Sequence, residues 1–341
     1  MSTISYAEAI VVGAFQGVTE LFPVSSLGHN VLIPALIGGS WAQDLNVSRP
    51  ESPYLAFIVG LHVATAIAMI IYFRRDWIRI AGGFLSSVRD RRIVTADQRL
   101  AWMIVLATIP VGIAGLALEH LFRVVFSKPV PTALFLAGNG IILLAGERKW
   151  RRSALDAPPT ATPAMAAQGA SAPASSHAAL TTGPGNDTVT AGTRPANVDP
   201  TRGTDQAVAA DRRLSAMGLG NAVLIGCAQI LALLPGISRD GVVTVTGMAR
   251  GLPTSDAVRY SFLLSAPVIL AAGVLKVPDL TGPLGSGIRG QVLAGSLLSG
   301  VGAYLSVSFL VRYFSRSRSL APFGIYCLVA GLGSAAYLLL R

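Results

Sequence analysis

Two short polar segments carry the side chains that could do chemistry in this chain. In the first, Gln16 and Glu20 are four residues apart and share one face of a helix, which Pro23 then interrupts. The residues after the break supply two hydroxyls and an imidazole at the start of a new helix, where free backbone N–H groups favour an anion. These residues are Ser25, Ser26 and His29. The segment therefore combines an anion site with groups able to act as nucleophile and base.

The second segment runs from Pro235 to Gly241 and centres on Arg239. The preceding helix is expected to stop at Pro235 and Gly236, so that Arg239 lies at the start of the returning helix. A guanidinium beside a helix N-terminus is suited to bidentate phosphate binding. Pairing of Arg239 with Asp240 is the structural alternative, and the two roles do not exclude each other.

A purely structural interpretation also exists for the first segment, with Glu20 and His29 as a buried pair and the serines as helix caps. The clustering of these groups favours a functional site. The other histidines are weaker candidates. His62 and His120 are interpreted as polar helix contacts, and His177 falls in a linker.

The elements that position both segments are membrane helices. The 341 residues are 52% hydrophobic and 13% charged, with a mean hydropathy of +0.58, which is too apolar for a soluble chain of this length. Six apolar runs approach the roughly 20 residues that span a bilayer. They are residues 54–73, 101–118, 131–146, 260–277, 291–311 and 322–340.

The net charge of +10 is concentrated in basic tracts between these runs. Basic residues beside membrane helices favour the cytoplasmic side, so no nucleic-acid partner is expected. Cys227 and Cys327 fall in apolar stretches and are interpreted as small hydrophobic residues rather than a disulfide.

A segment rich in Ala, Pro, Thr, Ser and Gly divides the chain into two similar halves. We expect a first membrane repeat at residues 1–150, a disordered cytoplasmic linker at 151–213 and a second membrane repeat at 214–341. Each half begins with an interrupted apolar segment and continues with three longer spans. The short sequences around Gln16 and Gln229 also resemble each other, since each of these glutamines follows a glycine by three residues.

The basic tracts predict the topology of both halves. If they lie in the cytoplasm, the segment before Tyr54 must enter and leave from outside, and the segment between Arg213 and Arg250 must do so from inside. The predicted fold is therefore an all-α polytopic membrane protein with an inverted-topology repeat. Each half is a re-entrant helical hairpin plus three transmembrane helices, and the two polar breaks meet near the middle of the bilayer.

Both motifs resemble those of the bacitracin-resistance family of undecaprenyl pyrophosphate phosphatases. The first family pattern is Glu or Gln, three residues, Glu, and then Pro-Val-Ser-Ser-x-Gly-His; the second is Pro-Gly-x-Ser-Arg-Ser-x-x-Thr. The chain matches them at Gln16, Glu20, Pro23, Val24, Ser25, Ser26, Gly28 and His29, and at Pro235, Gly236, Ser238 and Arg239. It departs from them at Asp240, where the family has Ser, and at Val243, where it has Thr.

The resemblance implies hydrolysis of a C55 polyprenyl pyrophosphate to the monophosphate, which recycles the lipid carrier of peptidoglycan synthesis and opposes bacitracin. The implied catalytic residues are Glu20, Ser26, His29 and Arg239. The implied substrate-binding residues are Gln16, Ser25, Gly28, Gly236, Ser238 and Asp240. Either Ser26 or His29 would be the nucleophile, and Glu20 would be a base or a metal ligand.

A divalent cation, Mg²⁺ or Ca²⁺, bridged by Glu20 is expected to neutralise charge on the pyrophosphate. The expected location is the bacterial inner membrane, with the lipid as partner; a homo-oligomer is compatible with the sequence.

Two other functions stay open. One is a polyprenyl-phosphate transporter or flippase, because inverted repeats with broken helices are common in transporters. The other is an inactive lipid-binding relative, to which Asp240 and Val243 point.

Overall fold

The computed structural model describes residues 4–45, 53–121, 128–156, 200–275, 282, 287–316 and 319–340. Within these ranges the chain is helical. The first half contains α1 (Tyr6–Thr19), α2 (Ser26–Ile37), α3 (Gly39–Asp44), α4 (Pro53–Tyr72), α5 (Arg74–Asp90), α6 (Ala96–Leu121) and α7 (Pro129–Asp156). The second half contains α8 (Pro200–Ala216), α9 (Leu219–Ala228), a 3₁₀ turn (Gln229–Leu233), α10 (Arg239–Ala249), α11 (Thr254–Leu275), α12 (Arg289–Arg316) and α13 (Ala321–Leu340).

Six of the helices in the described ranges, α4, α6, α7, α11, α12 and α13, are long and apolar enough to cross a membrane. They coincide with the six apolar runs, so the prediction of an all-α polytopic membrane protein is confirmed. The two polar segments fall at the predicted interruptions, between α1 and α2 and between α9 and α10. We call each interrupted pair, α1 with α2 and α9 with α10, a hairpin; none of its helices is among these six spans.

Small residues let the hairpins pack closely against helices of the opposite half. A Cβ atom on Gly13 of α1 would lie 2.4 Å from the carbonyl oxygen of Gly295 in α12. A Cβ atom on Gly226 of α9 would lie 2.2 Å from the carbonyl oxygen of Ala107 in α6. Such separations exclude any larger side chain, as is usual where membrane helices cross at small residues. Each hairpin is thus fixed by a helix of the other half.

The basic segments gather at one end of the bundle. Asp211 of α8 accepts hydrogen bonds from Arg259 of α11 at 2.9 and 3.1 Å and also from Arg79 of α5. Arg213 holds Asp256 in a bidentate pair at 2.6 and 2.9 Å. The carboxylate of Glu147 in α7 caps the start of α13 through the Leu320 N–H at 2.7 Å.

The structure differs from the prediction of a disordered linker at both ends of residues 151–213. Residues 151–156 continue α7 and residues 200–213 belong to α8, while 157–199 lie outside the described residues. The Ala-rich composition hid α8, which is held by these ion pairs and by Leu214, a residue buried in the hydrophobic core. It meets α9 at an angle of 101°, so α9 can enter the bundle from the end where α8 is bound.

Candidate active site

The two helix breaks touch each other inside the bundle. The Gly236 N–H donates to the Ser25 hydroxyl oxygen at 3.1 Å. Asn139 of α7 joins both breaks, because its Nδ2 donates to the Pro23 carbonyl at 2.9 Å and its Oδ1 accepts from the Ser238 N–H at 3.0 Å. The polar segments, more than 200 residues apart in sequence, therefore form one site.

This contact requires glycine at two positions. Gly236 has φ +111°, and a Cβ atom there would lie 2.5 Å from the Thr132 carbonyl oxygen. A Cβ atom on Gly28 would lie 2.9 Å from the Gly236 Cα. Ser25 itself adopts φ 68°, a left-handed conformation that a non-glycine residue rarely occupies. The strain at Ser25 is held by the hydrogen bonds that its side chain accepts from the Gly28 and Gly236 N–H groups.

Glu20 is the centre of the polar contacts. The Ser26 hydroxyl donates to Glu20 Oε2 at 2.5 Å, and the Gln16 amide donates to the same oxygen at 2.8 Å. The other oxygen, Oε1, pairs with Arg239 Nη2 at 3.0 Å. One carboxylate thus contacts a hydroxyl from its own hairpin and a guanidinium from the other.

Arg239 is held from behind by a second buried group. Its Nε donates to the Ser265 hydroxyl oxygen at 3.0 Å. The hydroxyls of Ser261 and Ser265 both donate to Asp240 Oδ1, at 2.6 and 2.5 Å. Asp240 Oδ1 is 3.9 Å from Arg239 Nε. Asp240 therefore supports the guanidinium through Ser265, on the side away from Glu20.

His29 is buried but its ring is already engaged elsewhere. Its Nδ1 donates to the Ser25 carbonyl at 2.7 Å, and the Tyr326 hydroxyl donates to Nε2 at 2.8 Å. The Tyr326 ring stacks on the imidazole at a centroid distance of 5.8 Å. His29 thus connects the first break to α13 and has no ring nitrogen left for Ser26 or Glu20.

His62 of α4 is the imidazole beside Glu20, and the sequence analysis missed it. Its Nδ1 donates to the Ile58 carbonyl at 2.9 Å, which leaves Nε2 directed at the site. This nitrogen lies 3.4 Å from Glu20 Oε2 and 3.3 Å from Gln16 Nε2. An intramembrane histidine is itself a functional signal, but only the packing of α4 on the hairpin shows its partner.

A cavity of about 350 Å³ opens beside these groups. Its polar lining comes from both hairpins and from α4, and its apolar lining comes mainly from α4, α11 and the 3₁₀ turn. The polar residues are Glu20, Ser25, Ser26, His62, Gln229, Ser238 and Arg239. The apolar ones include Ile58, Val59, Val111, Leu233, Val268 and Ile269. Such a cavity matches a ligand with a polar head and an apolar tail.

Five of the ten site residues predicted from the sequence line this cavity: Glu20, Ser25, Ser26, Ser238 and Arg239. The other five lie outside it. Gln16 is hydrogen-bonded to Glu20, and Gly28 and Gly236 permit the contact of the breaks. Asp240 supports Arg239 through Ser265. His29 faces Tyr326. All five therefore hold the groups around the cavity in position, His29 from the α13 side.

The sequence of the chain matches a known protein family. The family described as bacitracin resistance protein BacA matches residues 9–183 and 197–333. The chain belongs to this family. Full-length relatives include an undecaprenyl-diphosphatase of Mycolicibacterium paratuberculosis, 56% identical with 99% of both chains covered. An undecaprenyl-diphosphatase 1 of Frankia casuarinae is 52% identical, with 97% of both covered. A third, an undecaprenyl-diphosphatase 2 of Chromobacterium violaceum, is 37% identical over 95% of this chain and 96% of its own length.

Membership of the BacA family gives the two motifs a common context. The residues that match the family patterns are the ones that build the contact between the breaks and the Glu20–Arg239 pair. Asp240, where the resemblance led us to expect Ser, lies behind Arg239 and is absent from the cavity lining. The departure at Asp240 thus concerns the support of the guanidinium and leaves the cavity wall unchanged.

Replacing Asn139 by leucine tests whether one side chain holds both breaks in place. Asn139 is fully buried, and leucine of similar size would leave the Ser238 N–H without its partner and the Pro23 carbonyl with only the weak contact from Cys327 Sγ at 3.8 Å. We expect a loss of about 2 kcal/mol or more in stability and a lower kcat. Thermal unfolding of the detergent-solubilised protein measures the first effect. Asn221→Leu removes an amide bonded to Arg250 outside the site, and a loss of equal size there would contradict the bridging role.

Two variants of His62 separate hydrogen bonding to Glu20 from simple packing. In the imidazolium form, Nε2 of His62 carries a second N–H that faces Glu20 Oε2 at 3.4 Å. His62→Gln keeps a side-chain N–H able to reach Glu20, whereas His62→Leu removes it. We expect kcat to fall about tenfold in the leucine variant, as for the loss of one hydrogen bond to a charged group, and to recover largely in the glutamine variant. Equal activity of both variants, measured as phosphate release, would show that His62 does not position Glu20.

Proposed function

We propose that the protein is an undecaprenyl-diphosphate phosphatase of the bacterial cell membrane. It hydrolyses the C55 polyprenyl pyrophosphate to the monophosphate and so returns the lipid carrier to peptidoglycan synthesis, which opposes bacitracin. The observation that carries the proposal is the hydrogen bond from Ser26 Oγ to Glu20 Oε2, 2.5 Å long, in the cavity that Arg239 also lines. A hydroxyl, a base and a phosphate-binding cation thus share one intramembrane space.

Ser26 is the nucleophile in this proposal. Its hydroxyl is hydrogen-bonded to a carboxylate that can take its proton, which is the arrangement of an activated nucleophile. As Ser26 Oγ bonds to the terminal phosphorus, its proton passes to Glu20 and the bond to the bridging oxygen breaks. The lipid monophosphate leaves without needing a proton. His29, whose two ring nitrogens are engaged by Ser25 and Tyr326, holds the first break in its strained conformation.

Arg239 binds the pyrophosphate and stabilises the charge that develops on it. The contacts with Glu20 and Ser265 use Nη2 and Nε, so the guanidinium keeps further N–H donors for phosphate oxygens. The start of α10 adds free backbone N–H groups beside it. Electrostatic stabilisation of this kind is the main contribution of protein groups to phosphoryl transfer.

A divalent cation fits the site only together with the substrate. Among the described residues, no group of three or more His, Cys, Asp or Glu side chains could hold a metal ion alone. Glu20 is the one carboxylate lining the cavity in the part of the chain that is described. Mg²⁺ commonly takes one or two carboxylates plus substrate phosphates. We therefore propose that Glu20 and the pyrophosphate oxygens would hold the cation, which would supply neutralisation of charge.

The fold also supports the inverted repeat expected from the charge pattern. α1 packs on α12 at Gly13, and α9 packs on α6 at Gly226. In each case the first helix of a hairpin contacts the second transmembrane helix of the opposite half. The basic segments at one end of the bundle support a cytoplasmic location for that end. The site then lies between two hairpins entering from opposite faces, within reach of a lipid headgroup.

The decisive experiment measures phosphate release from undecaprenyl pyrophosphate by the purified protein in detergent. We expect release by the wild type, dependence on a divalent cation, and loss of activity in Glu20→Ala. A wild type that binds the lipid and releases no phosphate would instead support a carrier or an inactive lipid-binding relative. The relatives at 52–56% identity bear the name undecaprenyl-diphosphatase, which favours the enzyme.

A further inference from the structure

The side chain of Gln229 has one buried oxygen without a partner. Gln229 is 0% exposed, and its Nε2 donates to the Ala107 carbonyl at 3.2 Å. A carbonyl only accepts hydrogen bonds, so this contact determines which end of the amide is the nitrogen. The remaining atom, Oε1, finds no donor in the described part of the chain. An unmet buried acceptor is costly and calls for a partner outside the protein.

The position of Gln229 identifies where that partner would lie. Four buried side-chain atoms lack a partner within the described ranges, on Trp77, Gln229, Asp240 and Thr254. Of these residues only Gln229 lines the cavity that holds Ser26 and Arg239. The cavity volume of about 350 Å³ is ample for a water molecule beside a phosphate. The hydroxyls of Ser26 and Ser238 on the same wall provide further hydrogen-bonding groups.

The proposed cation would be held by Glu20 and the pyrophosphate oxygens, so the partner of Gln229 Oε1 is sought among the hydrogen-bond donors of the reactants. The phosphate oxygens of an ionised pyrophosphate are hydrogen-bond acceptors and cannot satisfy another acceptor. Arg239 uses its donors on Glu20, Ser265 and the substrate. The remaining reactant with O–H groups is water. In phosphoryl transfer, a glutamine is a known means of orienting the attacking water.

We propose that Gln229 Oε1 accepts a hydrogen bond from the water molecule that takes up the phosphoryl group. This proposal rests on the proposed phosphatase function. With one O–H directed at Gln229, a lone pair of the water oxygen can point at phosphorus. Gln229 is then a catalytic residue that positions the second substrate and takes no proton itself.

The step is balanced by groups already placed in the site. The water oxygen bonds to phosphorus as the bond from phosphorus to Ser26 Oγ breaks. Glu20 returns to Ser26 the proton that it accepted in the first step. Both protons of the water stay on the released phosphate, so the enzyme is restored and no further reactant is needed.

Gln229→Met tests the proposal, because methionine has nearly the shape of glutamine but no amide oxygen. The substrate is undecaprenyl pyrophosphate labelled on the terminal phosphorus, and the reaction is quenched during turnover. We expect phosphate release to fall about tenfold, as for the loss of one hydrogen bond, and labelled phosphate on Ser26 to accumulate, because water enters only the second step. No more label on Ser26 than in the wild type overturns the proposal, whatever the rate.

Gln291→Met is the matched control, since its amide also donates to a backbone carbonyl, that of Ile4, at 3.1 Å and lies outside the cavity. The amount of label on its Ser26 should equal that of the wild type. If Gln229→Met does not fold, Gln229→Leu serves for the same measurement. A wild type that releases no phosphate refutes the phosphatase function itself. An active wild type, with no extra label on Ser26 in the variant, refutes only the water site.

Discussion

Replacement of Ser26 by alanine is expected to lower kcat for phosphate release by at least about 10³-fold, because removal of a nucleophile eliminates the covalent route. Alanine keeps the Cβ and removes only the hydroxyl oxygen, so the backbone of the break should stay unchanged. Binding of the substrate should persist, since Arg239 and the N-terminus of α10 remain in place. The variant should therefore bind the lipid pyrophosphate with an affinity near that of the wild type.

The measurement that checks this prediction uses pyrophosphate labelled on the terminal phosphorus and quenched within one turnover. The wild type should carry label on Ser26 and the variant should carry none. Ser308→Ala is the control, because this half-buried serine donates to the Tyr304 carbonyl within α12, outside the cavity. Turnover of Ser26→Ala at the wild-type rate would rule out Ser26 as the nucleophile and return attention to His29.

Conversion of Arg239 to lysine is expected to lower kcat/KM by about 10²- to 10³-fold even though the charge is kept. The guanidinium contacts Glu20 with Nη2 and Ser265 with Nε while its other N–H groups face the cavity. A lysine ammonium is a single point of charge and cannot make these contacts together. Glu20 would then lose its partner from the second hairpin, and the pyrophosphate would lose a bidentate donor.

The fall in kcat/KM is measured by steady-state phosphate release over a range of lipid concentrations. Arg250→Lys is the control, since Arg250 is exposed and bonds Asn221 outside the site. If Arg239→Lys performs as well as this control, charge alone suffices and the planar geometry of Arg239 has no role. Asp240 should matter through the same guanidinium, because it anchors Ser265.

Local spacing was enough to predict part of the site. Gln16 and Glu20 lie on one helix face and are hydrogen-bonded at 2.8 Å, as their separation of four residues implies. Ser26 reaches Glu20 because Pro23 turns the chain between them. The meeting of Arg239 with Glu20 followed from two hairpins with facing breaks, which required the charge pattern as well as the motifs.

Groups from other helices were beyond the reach of sequence reasoning. Asn139, His62 and Ser265 stand in three apolar spans, and only the packing of α7, α4 and α11 brings them to the breaks. His29 was expected beside Ser26, but the hydrogen bond to Ser25 and the stacking with Tyr326 hold it on the α13 side. Periodicity along one helix cannot show which neighbour each face will meet.

The ion pairs of α8 have a consequence for how the protein can be divided. α7 ends and α8 begins at the same end of the bundle, and α8 is bound there through Asp211 and Arg213. The hairpins are in turn held by helices of the opposite half. The peptide between Asp156 and Pro200 is therefore not needed to bring the halves together. We expect residues 1–156 and 200–341, produced as two separate polypeptides in one cell, to assemble into an active split enzyme.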